Sequence, residues 1–152
     1  MKPSAWIGVD PGKSGACAVI HDDGQLVADW PGDPAGAAEV LREWLDRFEI
    51  RLAALEKVGA RPGQGVSSMF SFGRNLGAWE GIFAGLRIPY VMPTPQQWQC
   101  GLVMPSDGAD PKDRALSVAR RLFPDADLRL KKHDGRADAL LLAWWARRQT
   151  AI

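Results

Sequence analysis

Three short apolar runs lie within residues 1–30, and they constrain the fold more than any other feature of this chain. Residues 5–10 and 16–20 flank the turn residues 11–15, which read Pro-Gly-Lys-Ser-Gly. Residues 22–24, Asp-Asp-Gly, form a second tight turn before the third run at residues 25–30. Short apolar runs joined by such turns predict three consecutive antiparallel strands.

The next segment predicts a helix followed by a buried strand. Asp33 can cap the helix N-terminus, and Pro34 suits the first helical position. Apolar residues then recur at helical spacing, namely Ala37, Val40, Leu41, Trp44, Leu45 and Phe48. Residues 51–55 form a short run without polar alternation, which is typical of a central strand covered on both faces.

A second predicted helix carries glycines at every fourth position. Ser67 or Ser68 can cap it, and it is expected to end near Leu86. Its glycines are Gly73, Gly77, Gly81 and Gly85. Each Gly inside a helix costs about 0.5–1 kcal/mol relative to Ala, so the stripe predicts a closely approaching backbone. That backbone could belong to the sheet, to the first helix or to the same helix of a second subunit, and we favour packing within the chain.

The remaining segments complete an α/β pattern. Residues 88–92 predict a fifth strand, and Thr94-Pro95 begins a short helix. Two more helices are expected, one from Asp110-Pro111 and one from near Asp134. The order of elements predicts one domain over residues 1–152, with a mixed five-stranded sheet of three antiparallel and then two parallel strands, flanked by helices.

Composition is that of an ordinary soluble protein, with 46% hydrophobic and 24% charged residues. No apolar run approaches the roughly 20 residues of a membrane-spanning helix, and the N-terminus lacks the pattern of a secretory signal. The two cysteines, Cys17 and Cys100, are too few for a disulfide framework. We therefore expect a cytoplasmic protein with two reduced, buried thiols and no membrane contact.

Charge is distributed unevenly along the chain. The formal net charge is only +1, but residues 1–109 hold 9 basic and 12 acidic side chains, whereas residues 110–152 hold 10 and 6. The two parts therefore carry −3 and +4. A basic C-terminal part is compatible with nucleic-acid binding, although it can also be an ordinary solvated surface.

Four carboxylates occupy the ends of predicted elements. Asp10 ends the first strand and Glu56 ends the fourth, so both emerge at one sheet edge if these strands are parallel neighbours. Asp134 and Asp138 share one face of the last helix. Converging anions need a neutralising cation, and oxygen ligands suit Mg²⁺ or Mn²⁺. The pattern predicts a hydrolytic centre with two metal ions.

Three of the four acids also have a purely structural interpretation. Asp10 can cap the turn that follows it, Glu56 can end its strand in solvent, and Asp134 can be a plain helix cap. Asp138 is the strongest indication of a functional site, because it lies in an otherwise apolar stretch.

Three acidic motifs give the chain a family resemblance. They read Ile-Gly-Val-Asp-Pro-Gly at residues 7–12, Leu-Glu at 55–56 and His-Asp-Gly-Arg-Ala-Asp-Ala-Leu at 133–140. In this order they resemble the motifs of RuvC-like Holliday junction resolvases, particularly the short phage-type members, in the ribonuclease H-like superfamily. Residues 68–77 are similar to the family's second helix, so the resemblance spans nearly the whole chain.

The resemblance implies a homodimeric, Mg²⁺-dependent endonuclease that nicks two strands of a four-way DNA junction, in a bacterium or a phage-infected cell. It implies metal ligation by Asp10, Glu56 and Asp138. In the bacterial subgroup the last two site residues lie three positions apart, which would place Gly135 in the site. The fourth role therefore passes to Asp134 or to His133, which can also act as a general base.

The subgroup also has a base-contacting aromatic three residues after the Glu, where this chain has Gly59. We expect Phe70 and Phe72 in the core rather than stacked on bases. The predicted DNA contacts are Lys13, Arg61, Arg74, Lys131, Lys132 and Arg136.

Two other functions on the same fold stay open, namely a general branched-DNA or flap nuclease and a non-catalytic junction-binding protein. An actin-like or sugar-kinase nucleotide-binding domain is a weaker alternative, because the chain is too short for its duplicated halves. The expected partners are branched DNA and a second copy of the chain, without a small-molecule cofactor.

Overall fold

Three antiparallel strands open the structure, as the turn residues predict. The computed structural model describes residues 1–151, so Ile152, the last residue of the predicted domain, lies outside the described residues. The strands are β1 (Ser4–Asp10), β2 (Ala16–His21), β3 (Gly24–Asp29), β4 (Glu49–Leu55) and β5 (Tyr90–Val91). They form one sheet in the order β3-β2-β1-β4-β5. The β1–β2 and β2–β3 pairs are antiparallel, and the β1–β4 and β4–β5 pairs are parallel, so the predicted mixed sheet is confirmed.

Helices cover both faces of this sheet. They are α1 (Pro34–Arg47), α2 (Val66–Gly85), α3 (Pro95–Gln99), α4 (Pro111–Leu122) and α5 (Asp134–Gln149), with single 3₁₀ turns at Pro105–Asp107 and Lys131–His133. The predicted caps of α1 and α4 are present. Asp33 accepts a hydrogen bond from the Gly36 N–H at 2.8 Å, and Asp110 accepts one from the Asp113 N–H at 2.9 Å.

The alternation of side chains along the strands separates two apolar layers. On β2, Ala16, Ala18 and Ile20 point to the layer of α3, α4 and α5, whereas Cys17 and Val19 point to the layer of α1 and α2. On β4, Ala54 points to the first layer, and Ala53 and Leu55 point to the second. The predicted central strand with two covered faces is confirmed.

Helix α5 packs directly on the central strand β1. A Cβ added at Gly8 would overlap the carbonyl oxygen of Ala139 and the backbone nitrogen of Ala143. A Cβ added at Gly135 would overlap the carbonyl oxygen of Ser14 in the turn after β1. Glycine at these two positions therefore allows the backbone of α5 to contact β1 and its turn.

Two predicted element boundaries are wrong. Helix α2 begins at Val66 behind Gly65, without a side-chain cap, because Ser67 and Ser68 already lie inside its first turn. Strand β5 has two residues instead of the predicted 88–92. Pro89 directly precedes it, and proline has no N–H to donate to a sheet.

Three predictions about burial are also wrong. No atom lies within 4 Å of a Cβ added at any of the four α2 glycines, so the described residues supply no close backbone there. Trp79 and Phe83 form the side of α2 that faces the core. Phe70 lies on the opposite side of the helix and is 73% exposed. Cys17 is buried as expected, but Cys100 is exposed at the end of α3.

None of the described helices combines the length and the apolar character that crossing a bilayer requires.

Candidate active site

Two of the predicted acids lie side by side at one edge of the sheet. Asp10 is the last residue of β1, and Glu56 directly follows β4, its parallel neighbour. Val9 and Leu55 are paired in the register, and the Glu56 N–H donates to the Val9 carbonyl at 3.1 Å. The alternation of the strands turns Asp10 to the face on which Gly8 contacts α5.

Helix α5 brings the other two acids to this edge. Asp134 is its first residue, and Asp138 lies one turn later beside Ala139, whose backbone contacts Gly8. Burial raises the pKa of Asp138 well above its usual range, and the negative charges of Asp10, Glu56 and Asp134 raise it further. The four carboxylates therefore form one electrostatically coupled group, which we call the acidic edge.

Each strand-end acid has one fixed hydrogen bond. Oδ1 of Asp10 accepts from the Gly12 N–H at 3.1 Å, so the turn-capping reading is also correct for this residue. Oε2 of Glu56 accepts from the indole Nε1–H of Trp98 at 2.7 Å. Burial raises the pKa of both carboxyls, and these hydrogen bonds oppose that rise.

A cation missed by the sequence analysis lies at the acidic edge. Nζ of Lys112 is 3.6 Å from Oδ2 of Asp134, and its side chain is 78% exposed. Its charge lowers the pKa of Asp10 and of Asp138. Lys112 lies in the first turn of α4, and no sequence pattern connects that turn with the acids, because only tertiary packing brings α4 beside α5.

The acidic edge offers four carboxylates whose negative charge is only partly balanced. Oxygen donors of this type suit a hard divalent cation. Within residues 1–151, however, no three His, Cys, Asp or Glu side chains are arranged to hold one metal ion as they stand.

Nδ1 of His133 contacts the segment that precedes α5. It is 5% exposed in the turn before α5, and its Nδ1 accepts a hydrogen bond from the Leu130 N–H at 3.2 Å. The same nitrogen lies 3.9 Å from Oδ1 of Asp127. Nδ1 is thus engaged with the segment that precedes α5, and a role as general base stays a prediction.

The predicted DNA contacts lie in different surroundings. Lys13, Lys132 and Arg136 line one cleft of about 410 Å³ beside the turn after β1. Lys131 is exposed next to this cleft, and the charge of Arg61 lowers the pKa of Glu56.

Arg136 and Arg74 differ in how firmly their side chains are held. Nε and Nη2 of Arg136 donate to Asp29 at 2.8 and 3.0 Å, and Nη1 donates to the Asp127 carbonyl at 3.1 Å. This ion pair lowers the pKa of Asp29. Arg136 therefore connects α5 to the end of β3, whereas Arg74 is exposed on α2 in a separate cleft lined also by Trp30 and Asp33.

The raised pKa values predict that the acidic edge lowers the free energy of unfolding in a pH-dependent way. In the unfolded chain these carboxyls have ordinary pKa values of 3.8 to 4.5, whereas in the folded protein their pKa values are raised. The folded protein therefore holds protons that the unfolded chain has released, and its stability falls as pH rises through the raised pKa values. We expect Asp138→Asn to be more stable than the parent by about 1–2 kcal/mol at pH 8, with a smaller difference at pH 5. Urea unfolding in EDTA measures both differences.

Asp46→Asn, at an exposed carboxylate on α1, is the control and should change stability by less than about 0.5 kcal/mol at either pH. An Asp138→Asn protein that is less stable than the parent at pH 8 would contradict the predicted repulsion.

Comparison with known proteins finds similarity both in sequence and in structure. No protein-family model matches the chain. Over 87 residues, or 56% of the chain, it is 38% identical to the chloroplastic Holliday junction resolvase MOC1 of Chlamydomonas reinhardtii, and it spans about 10% of that protein's length. The structure matches Thermus thermophilus RuvC in complex with Holliday junction substrate, with a TM-score of 0.65 and 17% identity over 99% of this chain and 97% of that one.

A second Thermus thermophilus RuvC structure matches with a TM-score of 0.59 and 20% identity, over 97% of this chain and 98% of that one. These findings confirm the resemblance that the acidic motifs indicate. The cytoplasmic location stays a prediction, because the sequence relative is chloroplastic by name. The chain therefore has the ribonuclease H-like fold of RuvC, and its sequence is similar to that of a Holliday junction resolvase.

Proposed function

We propose that this chain is an endodeoxyribonuclease that resolves four-way DNA junctions by hydrolysing phosphodiester bonds at the acidic edge. The observation that carries the proposal is the meeting of four carboxylates from β1, β4 and α5, with Asp138 coupled to the other three. Such a group lowers the stability of the fold while its charges are not neutralised, and strongly perturbed carboxyls of this kind cluster at functional sites. The names of the similar proteins, a Holliday junction resolvase and a RuvC bound to a Holliday junction, support this choice of substrate.

We further propose that Mg²⁺ or Mn²⁺, two ions per site, binds at the acidic edge. Asp10, Glu56, Asp134 and Asp138 would hold the ions, and Lys112 would balance part of the remaining charge of Asp134. When bound, two such ions activate water and stabilise the leaving oxygen of a phosphodiester. The hydrogen bonds from Gly12 and Trp98 restrict how Asp10 and Glu56 can turn towards them.

Cleavage of defined DNA structures tests the proposal. A labelled four-way junction, a plain duplex and a flap are each incubated with the protein in Mg²⁺ and, separately, in Ca²⁺. Symmetric nicks in the junction with Mg²⁺ are the expected result. Equal cutting of the flap would indicate a general branched-DNA nuclease, and junction binding without cutting in Mg²⁺ or Mn²⁺ would indicate a non-catalytic junction-binding protein.

The lysine pair beside α5 is expected to bind phosphates. Lys131 and Lys132 are both exposed, and neither forms an ion pair within residues 1–151. Replacing both by Ala should weaken junction binding and reduce the slope of log K against log salt by about 2, because each phosphate contact releases about 0.9 counterion. Fluorescence anisotropy at several salt concentrations measures the slope.

Arg148→Ala is the matched control, because Arg148 is an exposed cation at the opposite end of α5. It should leave the slope nearly unchanged. If the double lysine variant keeps the parent's slope, these lysines do not contact phosphate.

The exposed side of α2 is our proposed dimer face, because paired nicks in a symmetric junction require two equivalent sites. Val66 and Phe70 are 80% and 73% exposed on this side. Spaced along the same side are Gly73, Gly77, Gly81 and Ala84, all exposed. A two-fold axis at Gly77 would place Phe70 of one copy against Ala84 of the partner subunit, so that a large residue meets a small one.

Gly77→Leu should separate the subunits and leave each fold intact. A Leu side chain at an open helix position prevents close approach, and an overpacking cost of about 1–3 kcal/mol raises the dimer dissociation constant about 10–100-fold. Analytical ultracentrifugation measures that constant. Glu39→Leu on the exposed side of α1 is the control and should remain dimeric, whereas a fully dimeric Gly77→Leu protein would exclude this face.

A further inference from the structure

A fully buried tryptophan donates a hydrogen bond to one carboxylate of the acidic edge. Trp98 is 0% exposed, and its indole Nε1–H lies 2.7 Å from Oε2 of Glu56, a residue that is 8% exposed. The two residues are 42 positions apart in sequence. Core packing alone accounts for the burial of the indole, but it does not account for a donor directed at this oxygen.

The local structure fixes the indole relative to Glu56. Trp98 lies on α3, whose start is closed by two reciprocal hydrogen bonds between Thr94 and Gln97, at 2.8 and 3.2 Å. The N–H of Lys57, the residue after Glu56, donates to the Pro93 carbonyl at 2.8 Å. The segment that leads into α3 is therefore attached to the backbone next to Glu56, which limits relative motion of the donor and the acceptor.

The chemistry of the indole allows its N–H to bind only one of the two Glu56 carboxylate oxygens. An indole N–H can donate but cannot accept, so it binds one carboxylate oxygen and leaves the other free. Hydrogen bonds that orient a metal ligand typically change metal affinity about 10–100-fold.

We propose that Trp98 is a positioning residue, whose indole N–H holds Oε2 of Glu56 so that Oε1 is presented to the cation. This inference rests on the proposed function, in which Glu56 is a metal ligand.

Trp98→Phe tests the inference, because it removes the donor and keeps an aromatic ring in the core. We expect the dissociation constant for Mn²⁺, measured by calorimetry without DNA or turnover, to rise about tenfold. In a Glu56→Ala background the same substitution should change Mn²⁺ affinity less than twofold, because the oriented carboxylate is gone. A merely structural role of Trp98 would lower affinity equally in both backgrounds and would overturn the inference.

Trp79→Phe is the matched control. Trp79 is 1% exposed in the apolar layer on the other side of the sheet, so its replacement should lower stability and leave Mn²⁺ affinity unchanged. Unchanged Mn²⁺ affinity in Trp98→Phe, with normal uptake by the parent, overturns the inference and leaves the proposed function intact. Absence of Mn²⁺ uptake by the parent itself, even with DNA, overturns the proposed function.

A measurement on the unchanged protein covers the case in which Trp98→Phe does not fold. The indole N–H resonance of Trp98 should shift when Ca²⁺ is added, because a cation on Oε1 withdraws charge from the oxygen that accepts the hydrogen bond. An indole resonance that stays fixed while Ca²⁺ shifts resonances of the other acidic-edge residues would also overturn the inference.

Discussion

Asp10→Asn is expected to reduce junction cleavage about 10²–10³-fold while junction binding stays within about twofold of the parent. Asn matches Asp in shape and can still accept the Gly12 N–H through its amide oxygen, so the turn after β1 is preserved. The substitution removes one negative charge from a group that should hold two cations, and losing a single charge-stabilising group at a reaction centre costs about 10²–10³ in rate. Single-turnover cleavage and anisotropy measure the two effects separately.

Asp33→Asn is the matched control for this prediction. Asp33 caps α1, and Asn is an equally good cap, so neither cleavage nor binding should change. Retained cleavage in Asp10→Asn would remove Asp10 from the reaction centre, and a large loss of binding would instead assign it to DNA contact.

Gly8→Ala is expected to lower the free energy of unfolding by about 3 kcal/mol or more. The added methyl group would overlap backbone atoms of Ala139 and Ala143, and neither backbone can move without displacing α5 from β1. Because Asp138 adjoins Ala139, the displacement should also separate Asp138 from Asp10. Folded Gly8→Ala protein should therefore lose cleavage as well as stability.

Chemical denaturation measures the stability change, and Gly59→Ala serves as its control. No atom lies within 4 Å of a Cβ added at Gly59, so that variant should stay within about 0.5 kcal/mol of the parent. A Gly8→Ala protein as stable as the parent would show that α5 does not contact β1 as described.

The sheet could be predicted from sequence because its signals are local. The turns at residues 11–15 and 22–24 and the caps at Asp33 and Asp110 each depend on residues close together in the chain. The acids at strand ends were equally readable, since parallel neighbours bring their ends to one edge. Contacts made only by tertiary packing, such as Lys112 with Asp134, have no such signal.

Helix α2 shows where periodicity misleads. Its apolar and small residues lie on all sides, so the pattern alone did not identify which side meets the sheet. The structure places the large aromatics Trp79 and Phe83 in the core and leaves Phe70 and the glycines outside. A stripe of small residues in a helix therefore does not by itself show that another part of the same chain packs closely against it.

The structure gives a steric reason why residue 135 is a glycine. A side chain at residue 135 would overlap the carbonyl of Ser14, so this position cannot carry a carboxylate. Asp134 lies one residue earlier and takes part in the electrostatic group around Asp138. Contact between α5 and the turn after β1 thus restricts which residue at the start of α5 can supply a negative charge.

The unequal exposure of the two cysteines gives a means of labelling. Burial raises the pKa of Cys17 to about 12, so this thiol stays protonated and unreactive at neutral pH. Cys100 is exposed at the end of α3, two residues after Trp98. A maleimide dye should therefore attach to the unaltered protein at one place, and its fluorescence would report rearrangements of α3 as a junction binds.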